Sequence, residues 1–118
     1  HNEKEWGHEE VWGAFQSMHG KVLTIKAGGK TSFKKHNHKN EVFYIMKGKV
    51  EITCGNERSL IDPIANPFQR FVLVEGNTFM VQSACPYQML ALEESKVIEI
   101  GDNLNDHAVY IDEAEIKL

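Results

Sequence analysis

The densest group of chemically capable side chains in this sequence is His36-Asn37-His38-Lys39-Asn40-Glu41. On an extended strand, residues two apart share a face, so His36 and His38 present their imidazoles side by side. Lys39-Asn40 reads as a tight turn, and a hairpin there sets Glu41 opposite His38 on the same face. Two imidazoles and a carboxylate converging from two strands form a ligand set for a divalent cation, with open positions left for a substrate. The competing reading is a solvated hairpin tip that carries two histidines. Lys34, Lys35 and Lys39 surround the group and repel a cation, which favours that reading. Spacing alone leaves both open.

The other polar and aromatic residues are less concentrated. His8, His19 and His107 are isolated in sequence and read as surface or hydrogen-bonded histidines. Trp6 and Trp12 read as core or interface aromatics, with a binding platform as the alternative. Met46, Met80 and Met89 read as core filler. Phe43 and Ile45 share the parity of Glu41 and are expected to line a barrel interior. The sequence has no glycine-rich phosphate loop, nucleophile elbow or CxxC pair, so nucleotide hydrolysis, serine hydrolysis and thiol redox chemistry have no support.

The elements that must position the histidine group are short and extended. Strands are expected at Val11–Ser17, Lys21–Lys26, Thr31–His36, Glu41–Lys47, Val50–Thr53 and Arg58–Leu60. Further strands are expected at Arg70–Val74, Thr78–Val81, Gln88–Leu92, Lys96–Ile100 and Ala108–Ile111. Turn residues separate them, among them Gly28-Gly29, Gly48, Gly55-Asn56 and Gly76-Asn77. Such regular short strands predict an all-β barrel or sandwich. Ile61–Phe68, with Pro63 and Pro67, is the longest expected loop, and its Ile64 could pack across a barrel mouth or against a partner. A helical turn is possible at Asp112–Lys117.

With 118 residues, the chain is expected to form one domain over 1–118. A net charge of −4 lacks the long-range positive field that draws proteins to nucleic acid or to anionic membranes. The longest strongly apolar run, Val42–Met46, is far too short to cross a membrane. No signal-peptide pattern is visible, and Cys54 and Cys85 read as two reduced thiols, so a cytoplasmic location is expected.

Several of these residues also carry a family resemblance. Gly28/Gly29, His36-x-His38, Glu41 and Gly48 resemble the first motif of the cupin superfamily. Gly76-Asn77-Thr78-Phe79-Met80-Val81 with Cys85-Pro86-Tyr87 resembles the second. The likeness is closer to the cupin domain of type II mannose-6-phosphate isomerases. Trp6-Gly7, Lys21–Gly28, Ser32, Lys34-x-His36, Lys39-x-Glu41 and the closing Glu99-Ile100 to Asp106 segment fall at matching places. The sequence departs from that pattern at three points. Lys34 takes the place of the first ligand, Tyr87 that of the motif-two histidine, and Tyr110 that of a terminal-strand arginine.

The resemblance implies a cupin fold, the double-stranded β-helix or jelly-roll barrel, paired into a homodimer through edge strands. It implies a divalent metal ion (zinc, manganese, iron or nickel) held by His36, His38 and Glu41 in one register of the motif, while the other register sets Lys34 and His36 before Glu41. Lys34 and Tyr87 would then face a small-molecule substrate such as a sugar phosphate. If the protein is an enzyme, a metal-dependent sugar-phosphate isomerase-like activity is implied. A non-catalytic carbohydrate- or anion-binding cupin and a metal-dependent dioxygenase are the alternatives.

Overall fold

The computed structural model describes residues 1–116. Among the described residues there are eleven strands: β1 (Asn2–Lys4), β2 (Gly7–Phe15), β3 (Met18–Ile25), β4 (Lys34–His36), β5 (Glu41–Lys47), β6 (Lys49–Cys54), β7 (Gln69–Val74), β8 (Thr78–Val81), β9 (Tyr87–Ala91), β10 (Ser95–Gly101) and β11 (Ala108–Tyr110). They form two antiparallel sheets, one ordered β1-β2-β3-β10-β5-β8 and the other β11-β4-β9-β6-β7. This is the all-β architecture that the recurring short strands predict.

Alternation along the strands builds the interior. Leu23, Ile25, Phe43, Ile45, Val50, Ile52, Leu73, Val81, Met89, Ala91 and Val97 are buried in one cluster between the sheets. Their burial is the main driving force for the two sheets to pack. Gly48 turns the chain from β5 in one sheet into β6 in the other. It has φ +97°, and a Cβ there would lie 2.2 Å from Ser95 Oγ, so this corner requires glycine.

Several segments differ from the sequence expectation: residues 31–33 precede β4 outside any strand, and residues 16–17 form a turn between β2 and β3. Arg58–Leu60 forms turns instead of a strand. Asn56 Oδ1 accepts from the Arg58 amide at 2.8 Å and Ser59 Oγ accepts from the Asn56 amide at 2.8 Å, so local side-chain bonds replace a ladder. Ile64 is exposed and packs on neither barrel nor core. β1 carries no apolar pattern, and it pairs with β2 through Asn2↔Glu9 to Lys4↔Gly7. At the other end, a short 3₁₀ turn at Glu113–Glu115 is capped by the Asp112 side chain. The remainder of the expected helical turn, at 117, lies outside the described residues.

Candidate functional site

The site follows from strand parity at one end of the barrel. His19, Lys21, Leu23 and Ile25 alternate inward on β3, and Val97, Glu99 and Gly101 do so on β10. The register sets His19, Gly101 and Glu41 in one row across β3, β10 and β5. Lys21, Glu99 and Phe43 form the next row. Lys34 on β4 faces Tyr87 on β9 across the second sheet. The interior is therefore apolar at one end and ionisable at the other.

That ionisable end is a cavity in two connected parts. An inner space of about 50 Å³ is lined by residues that include Lys34, His36, Glu41, Tyr87 and Glu99. An outer space of about 260 Å³ shares Trp6, Glu9, Lys21, Lys34, His36 and Lys39 with it and opens past Asp106 and Tyr110.

Glu41 is at the centre of the inner part and is 5% exposed. Its Oε1 accepts a hydrogen bond from the Tyr87 hydroxyl at 2.6 Å and lies 3.4 Å from His36 Nδ1. Burial works against ionisation of this carboxyl. The bonds from His36 and Tyr87 and the charges of His36 and Lys39 outweigh it and hold the pKa down at about 2. The Tyr87 phenol moves the other way. Burial first, then the Glu41 and Glu99 charges, keep it protonated and able to donate. Phe43 packs against its ring at 5.5 Å. Glu99 is also buried, and burial together with the neighbouring Glu41 charge pushes its carboxyl up to about 8.

The sequence reads His19 as a surface or hydrogen-bonded histidine and Glu99 as part of the closing segment, and it assigns neither to the site. His19 is 3% exposed, and its Nδ1 has no hydrogen-bond partner. That atom lies 3.9 Å from Glu99 Oε2, and His19 Nε2 lies 3.4 Å from Lys39 Nζ. One ligand atom each from His19, Glu41 and Glu99 lies within 4.8 Å of the others. A buried imidazole nitrogen without a partner, beside two carboxylates, suits a borderline divalent cation. Burial, then the charges of Lys39 and Lys21, hold the His19 pKa down and keep its imidazole neutral, as a metal ligand must be. The available signal was parity: Val97-x-Glu99 places a glutamate at an inward position of an apolar strand.

The five residues singled out by sequence are not all brought together. Lys34, His36, Glu41 and Tyr87 line the inner cavity. His38 does not, because the expected hairpin is absent. β4 ends at His36, and β4 and β5 lie in different sheets. Between them the chain is tied to the 102–106 loop. The His38 amide donates to Asp106 Oδ2, Asn103 Nδ2 donates to the His38 carbonyl, and Asp102 holds Asn40. His38 is left exposed, and the turn sends Lys39 inward instead, to 8% exposure.

A family model described as mannose-6-phosphate isomerase C-terminal matches residues 1–109. Among solved structures, the fold is similar to KdgF from Halomonas sp., with a TM-score of 0.67 and 14% identity over 80% of this chain and 76% of that one. It is similar to the Lactobacillus farciminis oxalate decarboxylase formate complex, with a TM-score of 0.76 and 15% identity over 96% of this chain and 33% of that one. A third similar structure is an RmlC-like cupin from Shewanella frigidimarina, with a TM-score of 0.68 and 12% identity over 82% and 76% of the two chains. The match spans a third of the oxalate decarboxylase chain. No curated protein matches the sequence. At these identities, the solved structures establish the cupin fold and nothing finer.

Proposed function

This chain belongs to the mannose-6-phosphate isomerase C-terminal family, and from that membership we propose that its barrel pocket binds a small anionic carbohydrate, with a sugar phosphate as the ligand class. One observation carries this reading. Lys34 faces the pocket and, among the described residues, has no carboxylate within ion-pair distance. Lys21, by contrast, is already paired with Glu9 at 3.3 Å. A free ammonium at the junction of the two cavities suits a phosphate or carboxylate group.

The other pocket residues suit the sugar. Trp6 lines both cavities and packs against the core, which supplies a fixed aromatic face at the mouth. Glu41 accepts from ligand hydroxyls on its remaining lone pairs, and the Tyr87 bond holds it in place. Of the sequence-derived ligand set, His36 and Glu41 face the pocket, so the proposal keeps these two and leaves out His38. The reading includes a divalent cation (zinc, manganese, iron or nickel) near Glu41. When bound, it polarises a carbonyl or hydroxyl oxygen of the ligand. A cytoplasmic homodimer completes the proposal. Trp12, Met18, Tyr44 and Met46, exposed on the larger sheet, favour self-association, and light scattering measures it.

The test is a ³¹P NMR titration with mannose 6-phosphate and fructose 6-phosphate. The proposal expects saturable shifts, and interconversion of the two signals adds isomerase activity. No perturbation at millimolar ligand contradicts it. A metal-free anion binder is a second reading, favoured because Glu41 is already satisfied by Tyr87 and His36. In that case a chelator leaves the titration unchanged.

A further inference from the structure

His19 is the least accounted-for polar residue in the barrel. It is almost fully buried, yet its Nδ1 has no partner. That atom lies 3.9 Å from the buried Glu99 Oε2, and a ring nitrogen of His19 lies within 4.8 Å of carboxylate oxygens of both Glu99 and Glu41. The space for the ring is built in. Gly101 sits between His19 and Glu41 in the cross-strand row, and a Cβ there would lie 2.1 Å from His19 Nε2. A buried polar atom without a partner is costly, and a fold that also makes room for it needs an explanation.

We infer that His19, Glu41 and Glu99 form a divalent metal site between the inner and outer parts of the pocket, with Lys39 as the charge that opposes loading. The ligand atoms lie within 4.8 Å of one another, and small side-chain movements bring them to one ion. One imidazole with two carboxylates suits a first-row transition ion such as manganese, iron, cobalt, nickel or zinc. Three protein ligands leave open positions toward the cavity.

The lysine gives the inference a distinctive consequence. A cation at Nδ1 requires the remaining ring proton on Nε2, which lies 3.4 Å from Lys39 Nζ. The ammonium then faces both an N–H donor and a divalent charge, so Lys39 weakens the site it borders. The inference rests on the proposed pocket only through the shared Glu41.

The test uses chelator-stripped protein carrying His8→Ala. This variant removes the exposed His1, Glu3 and His8 group, which could also hold an ion. Cobalt(II) is titrated by calorimetry and by its visible absorption. One equivalent per chain is expected. His19→Gln and Glu99→Gln should each weaken binding by about tenfold or more, and Lys39→Met should strengthen it by about tenfold or more. Circular dichroism checks folding, and if His19→Gln fails to fold, Glu99→Gln and Lys39→Met decide. No stoichiometric cobalt, or an affinity that ignores Glu99 and Lys39, overturns the site. Lost cobalt binding with hexose phosphate binding intact overturns this inference alone. The reverse result overturns only the proposed function.

Discussion

The Tyr87 hydroxyl donates to Glu41 Oε1 at 2.6 Å across the barrel, joining β9 of one sheet to β5 of the other through two buried side chains. The pair holds a carboxylate ionised inside a largely apolar barrel. It also keeps Tyr87, at the position where the family resemblance places a histidine, as a donor to the acid.

Tyr87→Phe removes that donor without changing the packing against Phe43. The Glu41 carboxylate then stays buried with one partner fewer. Urea denaturation should show a loss of about 1–3 kcal/mol near neutral pH. The loss should shrink at low pH, where Glu41 is protonated. A variant as stable as the parent would show that the bond contributes nothing net.

The two buried glutamates give opposite pH dependences in metal-free protein. The folded-state pKa of Glu41 is depressed from 4.5 to about 2, so its stabilisation is present above about 4.5 and is lost as pH falls toward 2. Burial and the Glu41 charge raise that of Glu99 from 4.5 to about 8. The unfolded chain therefore binds fewer protons over that interval, and stability falls as pH rises through it. Glu99→Gln should flatten the decline between about pH 5 and 8. A parent protein whose stability is level across that range would contradict the assignment.

Gly101→Ala places a methyl group 2.1 Å from the His19 ring. The imidazole must leave its place in the row, and overpacking of this kind costs about 1–3 kcal/mol. Thermal unfolding reads the cost, and the NMR resonances of the His19 ring should shift with it. An alanine variant with parental melting temperature and an unmoved His19 would show that the row has slack.

Much of the barrel was legible in the residues. β5 and β8 have the expected bounds, Glu41–Lys47 and Thr78–Val81, because alternating apolar positions between turn signals define both ends. β1 was not legible, since Asn2–Lys4 gains its strand geometry only by pairing with β2. The site divides in the same way. Lys34, His36 and Glu41 lie close in sequence and share a pocket. His19 and Glu99 join them only through the β3–β10–β5 register, which brings Glu41 together with His19, 22 positions before it, and Glu99, 58 positions after it. Local spacing does not carry that information. His38 shows the converse, where strand parity stops at His36 because Asp102, Asn103 and Asp106 capture the next turn.

The most direct test of the account is calorimetric titration of the parent protein and Lys34→Met with mannose 6-phosphate. The account predicts one saturable site per chain, weakened by about tenfold or more when the Lys34 ammonium is removed. Binding that is absent in the parent, or equal in both proteins, would contradict it.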